Sequence, residues 1–247
     1  MKALITGGTS GIGLSIAKEL DKRGYDLILV SNKSKVEKNE FKNNVEIVNM
    51  DLSKKENCYK LHDMVEDIDV FINNAGFGLF GAFDKTDLDT ELNMIDVNVT
   101  AVHILTKLFL QDMKKKNKGY ILNTASAAAY AYGPLMSTYY ASKAYVYKLT
   151  LSIYEELRRQ NSNVVISCLT PGPVYTNFQD RADVTFTTNT ITSEYVGKYA
   201  VDNLFKKKLV IAPTLSIKLS RVLINILPVK FALKICYKFQ KRKDKIK

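Results

Sequence analysis

Tyr139 and Lys143 stand four residues apart in Tyr139-Tyr140-Ala141-Ser142-Lys143, so on a helix they share a face, one turn apart. A tyrosine hydroxyl titrates near pH ~10, too high for ready proton exchange at neutral pH. A lysine ammonium beside it stabilises the phenolate and draws that value down. Ser126, thirteen residues upstream of Tyr139, follows the apolar segment 120–125. Its hydroxyl is placed to share a substrate oxygen with Tyr139. Together the three groups suit the addition or removal of a proton at a carbonyl or alcohol oxygen.

A Tyr-x-x-x-Lys pair alone is weak in a chain with 14 tyrosines. The N-terminus adds weight. Residues 2–6 (Lys2-Ala3-Leu4-Ile5-Thr6) read as a short buried strand, and Gly7-Gly8-Thr9-Ser10-Gly11-Ile12-Gly13 follows at once. Ile12, Ile16, Ala17 and Leu20 then recur at helical spacing up to Gly24. A strand, a glycine-rich turn and a helix N-terminus bring free N–H groups and the positive end of the helix dipole to one point, an anion site. Glycine there lets the backbone approach a pyrophosphate closely.

Strand-like runs at 2–6, 26–30, 45–49, 69–72, 119–124, 163–169 and 208–212 alternate with helical patterns at 11–23, 53–66, 87–116 (with a break), 137–160 and 193–206. This alternation predicts an α/β fold of the Rossmann type: a doubly wound, seven-stranded parallel sheet with helices on both faces. Its ligand crevice is expected at the carboxyl ends of the strands. With 247 residues, 46% of them hydrophobic, the chain can bury one large core. The polar stretch 31–44 leaves room for only a stub of helix. Cys58, Cys168 and Cys236 lack metal-ligand spacing, so no metal is expected and the thiols read as reduced, in a cytoplasmic setting. A strand starting at residue 2 leaves no room for a signal peptide.

The chain resembles the short-chain dehydrogenase/reductase family. The match comprises the Thr6-Gly7-x-x-x-Gly11-x-Gly13 turn, Asp51-Leu52-Ser53, Asn73-Asn74-Ala75-Gly76, Asn98, Ser126, Tyr139 with Lys143, and Pro171-Gly172-Pro173-Val174. They occur in family order over about residues 1–212. The resemblance implies a catalytic set of Asn98, Ser126, Tyr139 and Lys143. Tyr139 would be the acid in reduction and the base in oxidation. Lys143 would also hold the nicotinamide ribose, and Asn98 would position a water in a proton relay. Gly7, Gly11 and Gly13 would cradle the pyrophosphate, with Thr6, Thr9, Ser10 and Ile12 in the same turn. Asp51 and Leu52 would approach the adenine, while Asn74, Ala75 and Gly76 would line the groove. Pro171, Gly172, Val174 and Thr176 would flank the carboxamide side. Dimers or tetramers are implied, through the helices at 98–116 and 137–160.

Other readings stand beside these. Asn98 could bridge backbone within a helix, and Asn73 and Asn74 could be turn formers. Tyr140 rivals Tyr139 but lies only three residues before Lys143, out of the family register. Tyr130, Tyr132, Tyr145 and Tyr147 read as packing or pocket-wall groups, and His62 and His103 as surface or core residues. The second strand ends at Ser31 rather than at the acidic residue that would grip a ribose and repel a 2′-phosphate. NADP(H) is therefore expected ahead of NAD(H), with Ser31, Asn32, Lys33 and Lys35 around the phosphate. Asn32 and Ser10 replace basic residues that many NADP-using relatives carry.

Residues 206–247 hold thirteen Lys or Arg and one acid, or +12, against +11 for the whole chain; residues 1–205 sum to about −1. Two regions follow: a dinucleotide-binding and catalytic domain over 1–212 and a basic amphipathic extension over 213–247. Leu215, Leu219, Val222, Leu223 and Ile226 recur on one helical face, opposite Lys218, Arg221 and Asn225, until Pro228. A second helix sets Lys230, Lys234, Lys238 and Arg242 against Ala232, Ile235, Cys236 and Phe239. No uncharged run approaches the ~18–20 residues of a spanning helix. Such a tail either docks on protein or lies on an anionic bilayer, peripherally at the inner membrane surface. A specific nucleic acid is not expected. The expected activity is hydride transfer between an alcohol and a hydrophobic ketone or aldehyde, to which Tyr175, Phe178 and Phe186 also point. The alternative is a non-catalytic NADP(H)-binding regulatory or membrane-surface protein.

Overall fold

The computed structural model describes residues 1–32, 36–175, 191–214, 217 and 226–242. Seven strands form one parallel sheet: β1 (Lys2–Thr6), β2 (Asp26–Ser31), β3 (Val45–Asn49), β4 (Val70–Asn73), β5 (Tyr120–Thr124), β6 (Val165–Leu169) and β9 (Val210–Ile211). Their spatial order is β3-β2-β1-β4-β5-β6-β9, every neighbour parallel. The strand order reverses between β1 and β4, and the cleft above their carboxyl ends is where such sheets take ligands.

Alternation along the strands fills two layers. Ala3 and Ile5 of β1, Leu27 and Leu29 of β2 and Ile72 of β4 join one core cluster with helices α1 (Gly11–Asp21) and α6 (Ser193–Phe205). Leu4, Ile28, Val30 and Phe71 point the other way. They pack on α2 (Lys55–Met64), α4 (Val102–Lys115) and α5 (Ser137–Arg159). Each large apolar side chain buried there is worth about 1.5–3 kcal/mol.

Helices α1 and α6 pair closely. A Cβ on Gly197 would come within 2.7 Å of the Ser15 backbone carbonyl carbon, so the two helices meet backbone to backbone. Arg23 locks the far end through Glu19 and Asp202.

The expected elements are found to within a few residues, and the short helix expected in 31–44 is a single 3₁₀ turn, Lys38–Glu40. The break expected in 87–116 has a definite form: α3 (Leu88–Ile95) runs through a π-helical stretch, Asp96–Ala101, into α4. The last strand is shorter than 208–212. Two further strands, β7 (Val174–Tyr175) and β8 (Ile191–Thr192), pair in a separate small sheet that the sequence pattern does not anticipate. In the tail, Pro228 precedes helix α7 (Val229–Lys241). Leu215, Lys218, Leu219, Arg221, Val222, Leu223 and Asn225 lie outside the described residues.

Candidate active site

A cavity of about 1070 Å³ opens at the carboxyl ends of the strands. Gly7, Ser10, Gly11 and Ile12 form its wall on one side, with Ser31 and Asn32 at the end of β2 and Asp51 and Leu52 beyond β3. Asn74, Ala75 and Gly76 continue the wall after β4, and Pro171, Gly172 and Val174 after β6. Ser126, Tyr139 and Lys143 close the other end. Residues from Gly7 to Val174 thus converge because the parallel sheet brings every strand's carboxyl end to one side.

The glycine turn is built to admit an anion. Gly7 adopts φ +62°, which a side chain would strain, and a Cβ on Gly13 would sit 2.1 Å from the Gly7 carbonyl oxygen. Ser10 caps α1 without a side-chain hydrogen bond, leaving first-turn N–H groups toward the cavity. Thr6 ties this turn to the segment after β4: its buried hydroxyl accepts from the N–H groups of Asn74 (2.9 Å) and Ala75 (3.0 Å). The Asn74 amide donates in return to the Thr6 and Gly7 carbonyls at 3.3 and 3.4 Å. Thr9 and Gly13 stand behind the wall, buried, as does Thr6. Asp51 turns its carboxylate to the Ser53 N–H and hydroxyl, at 3.0 and 2.8 Å.

Ser126 follows β5 and caps a 3₁₀ turn, its hydroxyl accepting from the Ala128 N–H at 3.1 Å and bonding to the Tyr139 hydroxyl. Tyr139 and Lys143 project from the first turns of α5, both buried. The Lys143 ammonium lies 5.9 Å from the Tyr139 ring centroid and donates to the Thr124 carbonyl at 3.1 Å. Burial pushes the Lys143 ammonium down to about 8. Burial also pushes the Tyr139 phenol up to about 12, with the Ser126 bond pulling weakly the other way. This reverses the lowering expected from the Tyr-x-x-x-Lys spacing, because the desolvation of a buried phenolate outweighs a lysine beside the ring rather than at its oxygen. Tyr139 is thus held protonated in the site as folded.

Asn98 stands one layer further back. Fully buried in the π-helical stretch, its carbonyl accepts from the Phe77 N–H at 3.0 Å. Its amide donates to the Phe77 carbonyl at 2.9 Å and to Ser142 Oγ at 3.1 Å. It therefore fixes the backbone after Gly76 against α5. A Cβ on Gly76 would lie 2.8 Å from Asn98 Oδ1 and 3.1 Å from Lys143 Nζ, so these three groups are packed as one unit.

The sequence-expected residues in the described region come together. Lys33, Lys35, Thr176, Phe178 and Phe186 lie outside the described residues. The cavity adds Phe77, Asn93, Val97 and Met136, for which the sequence gives no signal, and Tyr140, read there only as an out-of-register rival to Tyr139. Of these Tyr140 is the notable one, since it does not share the face of Tyr139 yet still lines the wall. His62 bonds Asp112 across α2 and α4 at 2.6 Å, and His103 bonds the Tyr145 hydroxyl at 2.7 Å; neither lines the cavity.

Residues 1–185 match the family model for short chain dehydrogenase. Hydroxysteroid dehydrogenase-like protein 1 of Gallus gallus is 32% identical over 197 residues, 74% of this chain and 58% of that protein. The very-long-chain 3-oxoacyl-CoA reductase of Mus musculus is 33% identical over 170 residues, 63% of this chain and 54% of that protein. The match thus spans little more than half the length of these curated relatives. Among solved structures, a short-chain dehydrogenase from Sphingobium yanoikuyae in complex with NADPH superposes with a TM-score of 0.80 at 26% identity, over 92% of this chain and 96% of that one. A Burkholderia phymatum homologue in complex with NAD, 23% identical, shares the fold with a TM-score of 0.80 over 91% of this chain and 92% of its own. That family model covers most of the chain, and the chain belongs to the short-chain dehydrogenase/reductase family.

Proposed function

We propose that the chain is an NADP(H)-dependent oxidoreductase that reduces a hydrophobic ketone or aldehyde, or oxidises the corresponding alcohol. The observation that carries this reading is the Ser126–Tyr139–Lys143 group at one end of a cavity whose other end is a glycine cradle. Gly7, Ser10, Gly11 and Ile12 would hold the pyrophosphate, and Asn74 to Gly76 the ribose and nicotinamide side. A reduced nicotinamide bound there supplies a hydride to the carbonyl carbon.

Ser126 orients the carbonyl oxygen, Tyr139 gives it a proton, and the Lys143 ammonium stabilises the phenolate that remains. Burial keeps Tyr139 protonated, the form that can donate to a carbonyl oxygen. Ser31 and Asn32 at the end of β2 offer a 2′-phosphate no negative charge, which favours NADP(H) over NAD(H). Phe77, Val97, Met136 and Val174 give the substrate end an apolar lining, and relatives named for very-long-chain 3-oxoacyl-CoA reduction and as hydroxysteroid dehydrogenase-like agree with a lipophilic substrate. A catalytic domain over 1–212 would pair into dimers or tetramers through α4 and α5.

The basic extension over 213–247 would touch anionic lipid peripherally. Helix α7 carries Lys230, Lys234, Lys238 and Lys241, with Phe231, Tyr237 and Phe239 about half exposed. Among the described residues no helix is long and apolar enough to cross a membrane. Flotation with phosphatidylglycerol vesicles tests this: a Lys230→Glu/Lys234→Glu/Lys238→Glu variant should float far less than the parent, and equal flotation would remove the membrane from the proposal.

The activity is tested by titrating NADPH and NADH through fluorescence, then following NADPH oxidation over short- and long-chain carbonyls. Tyr139→Phe should cut turnover by about 10²–10⁴-fold and keep NADPH affinity. Tight binding without turnover on any carbonyl would instead favour a cofactor-sensing protein.

A further inference from the structure

The C-terminal extension touches the cavity wall at two points far apart in sequence. Ile217, 5% exposed, lies so close to Gly172 of the wall that a Cβ there would meet its Cδ1 at 3.0 Å. Helix α7 turns Ala232, Cys236 and Gln240 inward, an i, i+4, i+8 row that is 0%, 8% and 3% exposed. Gln240 Nε2 donates to the hydroxyl of Tyr140, one hundred residues earlier in the chain. Tyr140 itself lines the cavity, and its ring centroid lies 6.0 Å from that of Tyr139. Gly133 packs beneath it, since a Cβ there would meet the Tyr140 ring at 2.2 Å. The inner row differs from the face expected from the sequence, because Phe239 points outward, 57% exposed, while the polar Gln240 is buried.

A glutamine buried in an otherwise small, apolar row needs a reason. A residue that only sealed the helix onto the domain would do so better as leucine, because a buried amide must find partners for both its ends. Gln240 pairs at one end only: its Nε2 bonds Tyr140, while its buried Oε1 has no hydrogen-bond partner among the described residues. The one hydrogen bond of this buried amide thus goes to a residue of the cavity wall.

We propose that Gln240 is a positioning residue for substrate specificity: through Tyr140 it latches helix α7 to the substrate end of the cavity, so that helix docking and the shape of the pocket rise and fall together. The latch selects among carbonyl substrates by bulk, since release of Tyr140 changes the wall next to Tyr139 without altering Ser126, Tyr139 or Lys143. By linkage, a bulky ligand that packs on Tyr140 tightens the docking of α7 in turn. This inference rests on the proposed reductase reading only for the identity of the ligand.

Cys236 reports docking directly. It sits in the inner row, whereas Cys58 and Cys168 are wholly buried in the main core and report global unfolding. In full-length protein, N-ethylmaleimide alkylation of each cysteine would be timed by peptide mass spectrometry. The parent, Gln240→Ala, Tyr140→Phe and the double variant would be compared. Each single variant should speed Cys236 alkylation at least about tenfold with Cys58 and Cys168 still protected. The double variant should be no faster than the quicker single, because both remove the same bond. The ratio of KM for a bulky carbonyl to KM for a short one should shift at least about fivefold in Gln240→Ala. Unchanged Cys236 alkylation in both single variants, or rates in the double variant that multiply as for independent sites, would overturn the latch. The alkylation cycle needs no turnover, so failure of every carbonyl would count against the reductase reading and leave the latch to be judged on these rates.

Discussion

Asn98→Ala removes the amide that joins the backbone after Gly76 to α5 while leaving the helix-forming residues around it in place. The wild-type side chain makes three bonds in a fully buried site: to the Phe77 N–H at 3.0 Å, the Phe77 carbonyl at 2.9 Å and Ser142 Oγ at 3.1 Å. Ser142 keeps its own donation to the Tyr139 carbonyl at 2.7 Å, so its hydroxyl stays oriented. Three net bonds at about 0.5–1.5 kcal/mol each give a loss of roughly 1.5–4.5 kcal/mol. For a domain of this length about 2–4 °C of Tm accompanies each kcal/mol, so Tm should fall by at least about 3 °C. Urea unfolding read by circular dichroism and tyrosine fluorescence is the assay, since a lower midpoint at unchanged slope isolates stability. A variant whose midpoint matches the parent while turnover collapses would refute the scaffold reasoning and return Asn98 to the proton relay that family resemblance implies.

Lys143→Met should abolish turnover yet stabilise the protein at pH 7. Bringing a lysine from its ordinary 10.5 to about 8 corresponds to roughly 3 kcal/mol against its charged form, offset by about 1 kcal/mol for the bond lost at Thr124. Here the folded value lies below the unfolded one, so the cost of burial is full below pH 8 and fades as pH rises toward 10.5; the advantage of the variant should shrink over that window in urea titrations, and a constant difference would refute the assignment. Gly13→Ala should lose NADPH binding by at least about a hundredfold in a fluorescence titration with the circular dichroism spectrum kept, because the new methyl would stand 2.1 Å from the Gly7 carbonyl. Gly197→Val should lower stability by about 1–3 kcal/mol by prising α1 from α6, with calorimetry as the check.

Much of the fold can be read along the chain because each strand is a short apolar run that a glycine, a polar turn or a helix period interrupts. The cradle is legible for the same reason: Gly7, Gly11 and Gly13 follow β1 at once, and local backbone demands set their identity. Ser126, Tyr139 and Lys143 are legible as a set, but their protonation is not. Burial of the Tyr139 phenol depends on packing from Phe77, Met94 and Met136, which no spacing rule connects to it. The π-helical stretch around Asn98 is likewise hidden, since one extra residue per turn leaves the apolar rhythm of 87–116 nearly intact. Least legible is the role of Tyr140, which depends on Gln240 at the far end of the chain. The pairing of 174–175 with 191–192 escapes for a related reason, as two-residue strands carry no periodicity.

The backbone contact between Ser15 and Gly197 also sets a timetable. A ribosome delivers α1 early, with Ile16, Ala17 and Leu20 already arranged as an apolar face, but the helix that covers them begins at Ser193. At 5–20 residues per second, the 172 positions from Asp21 to Ser193 take roughly 10–30 s to emerge. Over that interval α1 is synthesised but unsheltered, so the layer that packs beneath the glycine turn is completed only when residues 193–205 arrive, and a nascent chain stalled before residue 193 would present a sticky first helix to whatever chaperone waits at the exit tunnel.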